Sequence, residues 1–202
     1  QPGVEFGDHR IAVYRPEKAR ELASFQTALP GKMTFEIHST DYQPPQALHQ
    51  MVRDGFGLLK VGPCLTFAFR AAVFALAGLE SELLAHRRGA RRSNIRQCLE
   101  AVMLEEPRHW RHHYHGSPES QALLRAYSYR DRIRYYWNHP EVAKSLRQLL
   151  ENLSRPVPPG LLCQYFPERC RPDENRPEIL SPEALIRDRI RQALAPYAAA
   201  CR

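Results

Sequence analysis

The chain has 202 residues, 43% of them hydrophobic and 25% charged, enough for one substantial domain with a packed core and too apolar for a disordered segment. Lys and Arg number 29 against 22 Asp and Glu, a net charge of +7, which admits nucleic acid, an anionic partner or phosphorylated small molecules as well as a plain basic surface. Seventeen prolines with ten glycines and no internal repeat argue against a low-complexity chain and mark many element boundaries.

The five cysteines, Cys64, Cys98, Cys163, Cys170 and Cys201, are widely spread and include no CxxC pair. Neither a zinc ribbon nor a disulfide framework is expected, and a reducing, cytoplasmic compartment fits best. The most membrane-like window, Val61 to Leu79, contains Gly62-Pro63 and Arg70. The arginine alone costs about 2.5–3.5 kcal/mol at a membrane centre, so no span is expected. The chain starts at Gln1 without a secretory signal and reads as the middle of a longer protein.

In chain order, Gln1 to Asp8 is loop-like with a strand end at Gln1, and a helical pattern runs from Pro16 to about Leu29, ended by Pro30-Gly31. Met33 to His38 is a short β-branched and aromatic strand, followed by the polar loop Ser39-Thr40-Asp41. Pro44-Pro45 opens a helix over about Gln46 to Arg53, which Gly55 closes. Gly57 to Lys60 is a buried strand, Gly62-Pro63 a tight stop, and the apolar run from Leu65 a buried helix. Such alternation predicts parallel strands with crossover helices.

After His86 the pattern turns helical. Ile95, Cys98, Leu99, Val102 and Met103 recur at helical spacing behind Ser93 as cap. Ser117-Pro118-Glu119 and His139-Pro140 start two more helices. This excursion, about residues 86–154, precedes Pro158-Pro159-Gly160 and a last apolar strand, Leu161 to Tyr165. Ser181-Pro182-Glu183 opens the final helix. Three strand-like runs do not close a barrel, which needs about 250 residues; the alternatives are an open sheet or the C-terminal half of a barrel.

Six ordered stretches resemble one family. They are Gln1-Pro2-Gly3-Val4-Glu5-Phe6; His38-Ser39-Thr40-Asp41-Tyr42-Gln43; Leu59-Lys60-Val61-Gly62-Pro63 with Leu65-Thr66-Phe67-Ala68; Val102-Met103-Leu104 with Glu106-Pro107; Asp131-Arg132-Ile133-Arg134-Tyr135-Tyr136-Trp137; and Gln164-Tyr165. Together they resemble the C-terminal half of the Z-type subunit of class II D-tagatose-1,6-bisphosphate aldolase, over essentially the whole chain. The resemblance implies an aldolase-type TIM (β/α)8 barrel, this chain being its C-terminal half, residues 1–202, with a helical insertion before the last strand.

It also implies a non-catalytic subunit in an oligomer that stabilises and activates a separate zinc-dependent aldolase subunit cleaving tagatose 1,6-bisphosphate. Some members are described instead as epimerases interconverting tagatose 6-phosphate and fructose 6-phosphate. A tagatose-6-phosphate kinase label also attaches to the family, but the chain has no GxxxxGK[ST] or kinase-type glycine loop. Where the family commonly has an acidic residue after Arg70, this chain has Ala71-Ala72.

In a half-barrel, Glu5, His38 and Lys60 stand at the carboxyl ends of three successive strands and converge on one mouth. A carboxylate, an imidazole and an ammonium together can bind a divalent metal, move a proton beside a carbonyl or hold a phosphate; metal identity is left open. A Schiff base at Lys60 is conceivable, though the class II resemblance argues against it. Asp41 either orients His38 or caps the next helix. Ser128, Arg130, Arg132 and Arg134 form a second candidate set for phosphate, with Arg130 and Arg134 four residues apart on one helical face. A metal site among His109, His112, His113 and His115 is disfavoured, because no carboxylate or cysteine stands at ligand spacing. Nucleic-acid binding through the arginine-rich excursion is a distant alternative.

Overall fold

A computed structural model describes residues 4–31, 33–170 and 181–202; the expected strand end at Gln1 lies outside them. In chain order the elements are β1 (Glu5–Phe6), β2 (Ile11–Ala12), α1 (Pro16–Thr27), β3 (Phe35–Ile37), α2 (Pro45–Arg53), β4 (Phe56–Leu59), α3 (Pro63–Leu83), α4 (Ile95–Glu105), α5 (Pro118–Tyr127), α6 (Pro140–Leu153), α7 (Pro159–Tyr165) and α8 (Pro182–Ala200). The described protein is mostly helical α/β. Among the described residues every α-helix but α4 begins with a proline, whose fixed φ suits the first turn and whose missing N–H would have had no partner there.

The chain divides into two compact units. The first comprises residues up to Phe67, Tyr127–Asp131 and Ile190–Arg202. Within it β1 and β2 form an antiparallel ribbon, while β3 and β4 pair in parallel across α2. A register irregularity between Phe35 and Glu36 sets Phe35 opposite Phe56 but Glu36 opposite Leu58 and Ile37 opposite Leu59. Side chains alternate along a strand. Phe35, Ile37, Phe56 and Leu59 therefore face the core with Leu48 and Met51 of α2, Ala19 of α1, and Ala200. Glu36, Leu58 and Lys60 are exposed and share the opposite face.

The second unit comprises Ala68–Ala126 and Arg132–Arg189. α4 packs on α6 through the periodic buried residues Ile95, Leu99, Val102 and Met103 on one helix and Val142, Leu149 and Leu153 on the other. By length and composition α3 could cross a membrane. Its Arg70 and Glu80 are buried and partnered, however: Arg70 donates to the Ala126 carbonyl, and Glu80 accepts from Ser93. That is the pattern of a core helix whose buried charged residues are partnered within the protein.

Four sequence expectations are corrected. Leu161 to Tyr165 is helical, as α7; a five-residue apolar run carries no decisive period, and Pro159 at the first position settles it as a helix. The helical insertion therefore precedes another helix, not a last strand. Ser93 does not cap α4: Asn94, at φ 50°, holds that position, and Ser93 is committed to Glu80. Arg130 and Arg134 do not share an α-helical face, because the chain turns at Asp131 (φ 47°) into a 3-10 turn, Arg132–Tyr136. Finally, Cys163 and Cys170 form a disulfide; the end of α7 and the following turn bring their Cα atoms to 5.1 Å, within the reach of an S–S bond.

Candidate functional site

The parallel pair delivers its charged groups at one end. Lys60 N donates to the Ile37 carbonyl (2.9 Å), and the Lys60 carbonyl accepts from Thr40 N (3.2 Å) and Thr40 Oγ1 (2.8 Å). These bonds tie the residues following β3 to those following β4. On the open face Glu36 Oε1 lies 3.4 Å from His38 Nε2 and 3.5 Å from Lys60 Nζ. All three side chains are about half exposed, at 43%, 46% and 58%. Ion pairs this wet contribute at most about 1 kcal/mol, so stability gives little reason for the arrangement. Chemically it is a carboxylate bridging an imidazole and an ammonium, a set that can accept, relay and donate protons.

The loop behind this cluster is tied down by hydrogen bonds. Asp41 is buried, and its Oδ1 accepts from Gly62 N (3.0 Å) and Cys64 N (2.8 Å). Of the two roles expected for Asp41, capping is the one formed, but the helix is α3 rather than the next in sequence, α2. Tyr197 OH donates to the Thr40 carbonyl (2.6 Å). Ser39 and Tyr42 stand in the left-handed region at φ 60° and 61°, a conformation held by these surrounding bonds. Burial, then the nearby Asp41 charge, pushes the Cys64 thiol up to about 12.

Glu5 is not part of the cluster. It is exposed on β1, in the antiparallel ribbon rather than the parallel sheet, and among the described residues no ion pair joins it to His38 or Lys60. Glu36 takes the carboxylate role. The sequence carried the signal, because Glu36 and His38 are two apart in a strand and share a face.

The second candidate set divides. In the first unit the buried Ser128 donates its hydroxyl to Asp8 Oδ1 (2.7 Å) and accepts from Arg130 N (3.0 Å). Arg130 Nε lies 3.6 Å from the same Asp8 oxygen. Beside them Tyr42 packs on Tyr129 and Phe67, with ring centroids at 4.7 and 5.7 Å, and donates to the Tyr129 carbonyl. The role of Asp8, 120 residues from Ser128, had no sequence signal. In the second unit Arg134 and Arg132 lie over the exposed Tyr135 ring at 4.5 and 5.7 Å, and His109 stacks on the same ring at 4.7 Å. No group of three or more His, Cys, Asp or Glu that could hold a metal occurs among the described residues.

A charged cluster at the carboxyl ends of a parallel βαβ unit defines an α/β protein whose charged groups gather at a strand edge, the usual place for a site in such folds. The chain belongs to the GatZ/KbaZ-like family: the family model described as D-tagatose-1,6-bisphosphate aldolase subunit GatZ/KbaZ-like matches residues 1–202. The family description places it in carbohydrate metabolism. The structure is also similar to that of a probable tagatose 6 phosphate kinase from Sinorhizobium meliloti 1021, with a TM-score of 0.87 and 42% sequence identity. That match covers 100% of this chain and 51% of the other, so the chain spans about half the length of that relative.

Proposed function

We propose that this chain is the C-terminal part of a subunit that stabilises and activates a zinc-dependent class II catalytic subunit of D-tagatose-1,6-bisphosphate aldolase in the cytoplasm. The observation that carries the reading is the family match along the whole chain. We place residues 1–202 in a single TIM barrel, with the helical excursion at about 86–154. The open face of β3 and β4, where Leu58 is 57% exposed, supports this: in a closed barrel that face points inward and is covered by the remaining strands. The proposed ligand is a phosphorylated ketohexose. Arg132 and Arg134 are the better phosphate candidates, since Asp8 already engages Ser128 and Arg130. The test is complex formation: the full-length protein and the catalytic subunit, mixed and separated by size-exclusion chromatography with light scattering, should co-elute as one oligomer. Separate elution at micromolar concentration would count against the reading.

One observation favours a second reading. Glu36, His38 and Lys60 keep an acid–base set together, as a stand-alone tagatose 6-phosphate 4-epimerase would require. That reading predicts fructose 6-phosphate forming from tagatose 6-phosphate without a partner, with losses of about 10²–10⁴-fold in His38→Ala and Lys60→Met. NMR of the sugar phosphates reads the conversion directly, and an inert wild-type protein with divalent metal added removes the epimerase.

A further inference from the structure

The second unit contains a cavity of about 560 Å³ lined by residues 90–94, Cys98 of α4, and Glu141, Lys144, Ser145 and Gln148 of α6. Its volume is that of a small-molecule site. Arg91, Arg92 and Lys144 contribute three cations against the single carboxylate of Glu141. Among the described residues none of the three cations has a carboxylate within ion-pair distance.

The loop bearing the two arginines is fixed from beneath. Glu80, buried at 3% exposure, accepts from Ser93 N (2.9 Å), Ser93 Oγ (2.6 Å) and Asn152 Nδ2 (2.6 Å). Asn152 Nδ2 also donates to the Arg91 carbonyl (2.9 Å), and Ser145 Oγ to the Ser93 carbonyl (2.7 Å). Burying a carboxylate is costly unless its lone pairs are satisfied. Here one is buried and satisfied by the loop, which holds a short basic segment in a single shape. A solvated basic surface needs no such support; a preorganised anion site does, because it avoids the entropy of ordering the loop on binding.

We propose that this cavity binds a phosphate-bearing small molecule, its phosphate held by Arg91, Arg92 and Lys144 over the loop that Glu80 pins. The site belongs to a different unit from the Glu36–His38–Lys60 cluster and stands independently of the function proposed above. Isothermal titration of inorganic phosphate into the full-length protein tests it, with fructose 6-phosphate and AMP titrated in parallel to tell a sugar phosphate from a nucleotide. The proposal expects phosphate binding that weakens about tenfold or more in R92A/K144A. The substituted side chains are exposed, and far-UV circular dichroism checks that the variant is folded. Cys98 lines the cavity and gives a second readout: in a C201S background, phosphate should slow its alkylation several-fold. Absence of both binding and protection, or an affinity unchanged in R92A/K144A, would overturn the proposal.

Discussion

Cys64 sits where the α3 cap, the Asp41 carboxylate and the core meet. Its thiol, ordinarily near 9.0, is pushed up to about 12 by burial and by Asp41. A raised pKa means that the folded state keeps a proton the unfolded chain releases. This contribution is complete below 9 and is lost as the pH rises from 9 toward 12. Tm is therefore expected to fall over that window, and Cys64→Ala should flatten the decline when melting is followed by circular dichroism. Tyr14 and Tyr197 are also raised, chiefly by burial, and leave a residual slope above 10. At this scale the candidate site was half legible. His38 and Lys60 stood out as polar residues ending apolar strands, and Glu36 was readable from the two-residue period. Asp8 was not, because its partnership with Ser128 exists only through tertiary folding.

The helices were announced by their prolines. α2, α3, α5, α6 and α8 start at the Pro residues that mark them in the sequence. The same signal at Pro159 was outweighed by the apolar Leu161–Tyr165 run, and the missed helix matters for packing. Gly78 of α3 lies against Tyr165 of α7 so closely that an added Cβ would come within 2.4 Å of the ring. Gly78→Ala must displace that ring, and we expect a loss of about 1–3 kcal/mol, measurable by urea denaturation. A stability equal to or above wild type would show that α7 moves away at no cost. The Arg130–Arg134 spacing failed for a different reason. A four-residue period has meaning only inside an α-helix, and Asp131 in the left-handed region followed by a 3-10 turn breaks it.

For the whole molecule, the alternation of strand and helix correctly gave the parallel βαβ unit, and among the described residues that sheet has two strands. The proposed barrel makes a prediction about one leucine. In the longer protein Leu58 should be covered, so Leu58→Lys should lower Tm by about 5–10 °C. In the 202-residue chain, where this side chain is 57% exposed, the same change should be nearly neutral. Equal effects in both would leave the open face without a cover. The central claim, that this family member serves a catalytic aldolase subunit, is tested most directly by activity. The rate of tagatose 1,6-bisphosphate cleavage and its half-life at working temperature are measured for the catalytic subunit alone and after mixing with the full-length protein. The account predicts a higher rate or a longer half-life in the mixture; identical rates and half-lives would contradict it.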